Sequence, residues 1–165
     1  MRTSVVFTMT QTVRSRSLLD DALATGALTT IATGGALLGL GLRDGEPSRL
    51  FRLVGRALLE RLGIASLNAP LTSVALGYVH HLVVATAWGA VLGLLVLLPT
   101  GRARLIAAPI VVLMYAAAAL WVLPPILRIG YAVTSNMSGV VPISVALLVA
   151  LYGGLWVGTR DASTL

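Results

Sequence analysis

Cysteine is missing from this sequence, and with it go disulfide bridges, thiolate metal sites and cysteine nucleophiles. Lysine is missing as well: all 12 basic residues are arginine. Together with the abundance of Ala, Leu and Gly, that points to GC-biased coding rather than to a demand for guanidinium chemistry. Charge of either sign is scarce, at 11% of residues against about a quarter in soluble domains. A chain so poor in charge cannot cover a water-facing surface. Strict period-two alternation is absent from its apolar runs, which argues against a membrane barrel. Glycine-rich phosphate loops, hydrolase elbows and nuclease-like carboxylate pairs are absent too, so no catalytic function is expected.

What is present is apolar. Hydrophobic residues make up 57% of the 165, and mean hydropathy is +0.92. Four runs are each long enough to cross roughly 30 Å of hydrocarbon as a helix. They cover residues 18–42, 71–98, 105–127 and 141–158. The expected fold is all-α, a bundle of four transmembrane helices forming one integral membrane domain over residues 1–165. Little of that length remains for a soluble catalytic domain. Asp20 and Asp21 open the first run, where carboxylates favour a helix N-terminus. Pro70 suits the first turn of the second span and Pro99 stops it. Pro109 is tolerable near the start of the third, Pro124-Pro125 would kink or end it, and the fourth is expected to begin near Pro142. Trp88, Trp121, Trp156, Tyr131 and Tyr152 are candidates for interface anchors or helix contacts.

Between the first two spans, residues 47–62 form a different kind of segment. On a helix, Arg49, Arg52, Arg56 and Glu60 share one face, opposite Leu50, Val54, Ala57, Leu58 and Leu62. That is the pattern of an amphipathic helix in the membrane interface, its arginines toward lipid headgroups. The net charge of +6 is therefore assigned to anionic lipid, not to nucleic acid. Six arginines fall on each side of the membrane, so the positive-inside rule gives no orientation. An even number of spans puts both ends of the chain on one side.

Three spans carry glycine pairs at i and i+4: Gly35 with Gly39, Gly89 with Gly93, and Gly154 with Gly158. Such pairs allow close backbone approach in lipid, within the bundle or against a partner chain. The first two share a context, GALLGL and GAVLGL, which could be a vestige of duplication, but with Gly, Ala and Leu so common here chance is the favoured source. Few polar groups lie within the spans: His80, His81 and several threonines, with Arg128 at the end of the third. Neighbouring helical residues point about 100° apart, so His80 and His81 cannot share one metal ion. Gly77, one turn before His81, would clear room for a haem or chlorophyll-type pigment ligated by His81. The competing reading is a packing histidine bonded to a hydroxyl such as that of Thr29, Thr30 or Tyr115.

The runs SRLFRLVGRALLERLG, VALGYVHHLVVATAWGAVLGLL and MYAAAALWVLPPIL together resemble a family of small four-helix bacterial inner-membrane proteins of uncharacterised function. By position His81 matches that family's histidine and Leu123-Pro124 its Leu-Pro motif. Thr29 stands where such proteins tend to carry Asp, and their fourth-span histidine has no counterpart here. The resemblance implies a multi-pass protein of the bacterial cytoplasmic membrane and brings no activity with it. The leading expectation is a non-catalytic accessory subunit of a larger membrane complex, partnered by other membrane proteins or by itself. A small oligomeric ion or solute transporter and a pigment- or haem-binding protein are the alternatives.

Overall fold

A computed structural model describes residues 17–67, 69–122 and 137–160. Arg2, Arg14, Arg16, Leu123, Pro124-Pro125, Arg128 and Tyr131 lie outside the described residues. Those described fold into helices α1 (Leu18–Arg43), α2 (Arg49–Arg61), α3 (Pro70–Leu97), α4 (Ala103–Ala117) and α5 (Met137–Arg160). A single 3-10 turn at Ala65–Leu67 precedes α3, and α4 continues as a π-helical turn over Ala118–Val122. Among the described residues, four helices are long and apolar enough to cross a membrane: Leu18–Arg43, Pro70–Leu97, Ala103–Trp121 and Met137–Gly158. The chain is a multi-pass, all-α membrane protein.

The helix ends follow from local chemistry. Ser17 caps α1: its hydroxyl accepts from the Asp20 N–H at 3.2 Å while the Asp20 carboxylate accepts from the Ser17 N–H at 3.0 Å. Gly45 (φ 79°) and Gly63 (φ 70°) take the left-handed conformation that ends α1 and α2. Pro70 occupies the first turn of α3, which stops just short of Pro99. The fourth span begins earlier than its sequence suggests. It opens at Met137, so that Pro142 lies inside the helix instead of at its start.

α1 lies between α3 and α5 and runs antiparallel to both, while α4 packs on α5 and α3. The face that α1 turns inward is not its most apolar one. Its buried residues are Ala22, Thr25, Gly26, Thr29, Thr33 and Gly41, whereas Leu19, Leu23, Ile31 and Leu42 are among its exposed ones. Lipid tails are as apolar as leucine, so burying leucine gains little there. Helices associate instead through small residues that bring backbones together. A methyl group built on Gly26 would come within 2.5 Å of the Thr86 carbonyl oxygen, and one on Gly89 within 2.9 Å of the Gly26 Cα. Thr25, only 1% exposed, stands between Gly93 of α3 and Gly154 of α5. A conventional apolar cluster fills the end of the bundle where α3 turns into α4, with Val96, Leu97, Ala108, Val111, Leu151 and Leu155 at its heart.

α2 is joined to the bundle chiefly through α3, antiparallel to its first half. The Phe51 backbone rests on Gly77, and the Ser73 backbone rests on Gly55. Its packed face is Leu50, Phe51, Gly55 and Leu59. This differs from the apolar side expected from the sequence: Leu62 is 65% exposed, and Val54, Ala57 and Leu58 are half-buried. Glycine causes the rotation, because the side of α2 that can approach a neighbour most closely is the one with no side chain at position 55.

Candidate functional site

Toward the α2 end the helices separate, leaving a cavity of about 150 Å³. α1 contributes Thr29 and Thr33, α2 contributes Phe51, and α3 contributes His80, His81 and Trp88; Tyr115 of α4 and Ile143 of α5 close it. A second cavity of about 180 Å³ shares Trp88, Leu92 and Tyr115 with the first and extends toward Leu95 and Met114. The two adjoin at these residues, the first enclosed mainly by α1, α2, α3 and α5 and the second lying between α3 and α4; together they make a trough.

The polar atoms on the α1 side are already engaged. Each threonine hydroxyl of α1 donates to the carbonyl one turn back: Thr25 to Asp21 at 2.7 Å, Thr29 to Thr25 at 2.9 Å, Thr30 to Gly26 at 3.1 Å and Thr33 to Thr29 at 2.7 Å. Thr30 and Thr86 also pair across the α1–α3 contact at 2.8 Å. His81 reaches over Gly34, whose missing side chain makes room for the ring, and its Nε2 lies 3.2 Å from the Thr30 carbonyl oxygen. A carbonyl only accepts, so Nε2 carries the proton and Nδ1 is left as an acceptor. The Thr33 hydroxyl oxygen stands 3.5 Å from the same Nε2, at the limit of a bond. Phe51 meets the imidazole edge-on, with centroids 5.6 Å apart, and stacks on Tyr78 at 3.9 Å.

The residues singled out in the sequence therefore separate. The room that Gly77 leaves is taken by the backbone of α2 at Phe51. The residue that gives His81 its space is Gly34, across the helix contact. His80 does line the cavity, half-buried, with its imidazole hydrogen-bonded to no described residue. Among the described residues, no three His, Cys, Asp or Glu side chains gather in metal-binding array.

Of the glycine pairs, Gly89 and Gly93 meet Thr29 and Thr25 of α1, while Gly154 meets Thr25 and Gly158 meets Asp21. Among the described residues Gly35 and Gly39 meet nothing within 4 Å, and both are exposed. The near-identical GALLGL and GAVLGL segments thus have opposite surroundings.

The three arginines assigned to headgroups divide as well. Arg49 is held by Asp44 at 2.6 Å, and Arg52 donates to the Glu46 carboxylate at 2.7 Å. Arg56 is exposed and has no such partner among the described residues.

One contact was not foreseen. Pro109 has no N–H to offer the Leu105 carbonyl one turn back, and the Tyr152 hydroxyl of α5 donates to that oxygen at 2.9 Å. The proline marked the freed carbonyl in the sequence; nothing there identified its donor.

No family model matches the chain, and no curated protein or solved structure matches it either.

Proposed function

We propose that this protein is a non-catalytic membrane subunit that acts by associating with other membrane-embedded chains. The observation that carries this reading is how the bundle uses its polar groups. The hydroxyls of Thr25, Thr29, Thr30, Thr33 and Ser73 donate to carbonyls of their own helices, and His81 bonds across the α1–α3 contact. The hydroxyls are thus satisfied within their own helices, and among these groups only the Thr30–Thr86 and His81–Thr30 bonds tie one helix to another. Groups engaged in this way do not line a wet path as a transporter requires, nor are they free to move protons as an enzyme requires. The alternative of a pigment or haem on His81 fits less well, since Nε2 is engaged and α2 fills the space beside Gly77.

The exposed pair Gly35 and Gly39 is the place where a partner helix would approach most closely. α2 rests at headgroup level in this reading. Arg49 and Arg52 are paired with Asp44 and Glu46, leaving exposed Arg43, Arg56 and Arg61 to anionic lipid. The bacterial cytoplasmic membrane is the setting that the motif resemblance suggests.

Purification from native membrane in mild detergent tests the proposal. Stoichiometric co-purifying chains, lost on Gly35→Leu/Gly39→Leu while the thermal melt of the bundle is unchanged, are the expected result. A lone monodisperse chain that conducts ions or solute in liposomes would replace this reading with the transporter alternative.

A further inference from the structure

The trough has a head end carrying histidine and threonine, mainly among the four helices α1, α2, α3 and α5, and an apolar continuation between α3 and α4, and the two ends ask for different parts of one molecule. About 150 Å³ of apolar cavity accommodates one six-membered ring. His80 is among the residues lining that volume. A neutral imidazole has one donor and one acceptor, and in hydrocarbon both are costly to leave unpaired. His80 is the eleventh residue of α3, roughly 15 Å along a helix of about 42 Å. That places it about a third of the way along α3, at the level where Phe51 of α2 packs against the neighbouring His81. Beyond Trp88 and Leu92 the second cavity carries the trough toward Leu95 between walls of Val111, Met114 and Ala118. Its position suits a flexible chain. The wall is interrupted at Ala118, where α4 changes to π-helical turns, a departure that often accompanies ligand sites.

We infer that this trough is a binding site for a neutral lipid-soluble molecule with an oxygen-bearing six-membered ring and an apolar tail, of the quinone or quinol class. The ring lies against Trp88 with its oxygen hydrogen-bonded to His80, and the tail follows Leu92 toward Leu95. The inference is independent of the subunit proposal, since it concerns the α3–α4 side of the bundle and not the Gly35 and Gly39 face of α1.

Trp88 lines both cavities and serves as the reporter once Trp121→Phe and Trp156→Phe remove the other two indoles. In nanodiscs, decyl-benzoquinone is expected to quench Trp88 saturably, and the reduced quinol is expected to compete with it. His80→Leu should weaken binding about tenfold, the worth of one hydrogen bond of about 1.4 kcal/mol. Ala85→Leu, which fills the ring volume, should abolish saturation without lowering the melting temperature. Decane and a phospholipid serve as controls. Linear, non-saturable quenching would overturn the inference, as would equal competition by decane, which marks an ordinary lipid chain as the occupant. Unaltered affinity in both His80→Leu and Ala85→Leu would overturn it too.

Discussion

At the scale of single residues, the bundle shows how lipid changes the worth of a hydrogen bond. In water the carbonyl freed by Pro109 would be solvated at little cost; in hydrocarbon it needs a donor from the protein. Tyr152 provides one from the neighbouring helix. Tyr152→Phe is expected to destabilise the bundle by about 0.6 to 2 kcal/mol, the range for interhelical hydrogen bonds in membranes. Pro109→Ala restores an N–H that can bond to Leu105 within α4, so the tyrosine loss should cost much less in that background. Unfolding in mixed micelles of the two single variants and the double variant measures the coupling. Additive effects would mean that the hydroxyl is not substituting for the missing amide. The sequence displayed the proline, but the distance from Leu105 to Tyr152 along the chain hid its remedy. The same limit applies to His81. Its burial in the second span was legible, whereas its acceptor is a backbone carbonyl, which no residue name betrays.

At the scale of elements, glycine position decides which helices touch. Gly89 faces Thr29 and Gly26 so closely that a methyl group on it would lie 2.5 Å from the Thr29 Cβ. Gly89→Ala is therefore expected to force α1 and α3 apart and lower stability by about 1 to 3 kcal/mol, the usual cost of overpacking. Gly35→Ala meets open space, and the better helix propensity of alanine should leave the isolated chain unchanged or up to about 1 kcal/mol more stable. Thermal melts of the two variants in one detergent compare them directly. A destabilised Gly35→Ala would place an unseen intramolecular contact on that face. Composition and spacing pointed to all three glycine pairs alike, because a glycine-xxx-glycine pattern states that approach is possible and not which neighbour makes it. Gly26, Gly34 and Gly55 have no glycine at that spacing, yet each lies against a neighbouring element. α2 follows the same rule: Gly55 outweighed the leucines in setting its rotation.

At the scale of the whole molecule, the four long apolar runs were legible because span length and hydropathy are properties of the sequence itself. Their observed limits differ by a few residues from those expected, most of all at α5, where proline is accepted inside the helix. The up-and-down path puts the start of α1 and the end of α5 at one end of the bundle, with α2 and the start of α3 at the other. The absence of cysteine makes the native chain its own background for testing this. Ala65→Cys and Thr100→Cys, both at exposed positions, should react with a membrane-impermeant maleimide from opposite faces of sealed vesicles. Labelling of both from one face would mean that α3 does not cross the bilayer.

The back-bonded threonines of α1 also bear on biogenesis. This helix leaves the ribosome before either neighbour that will flank it, so its contact face must wait in lipid while α3 and α5 are still being made. Hydroxyls already satisfied within their own helix make that wait inexpensive. A solitary first helix is accordingly expected to integrate efficiently in a translocon assay, needing its later companions for packing and not for insertion.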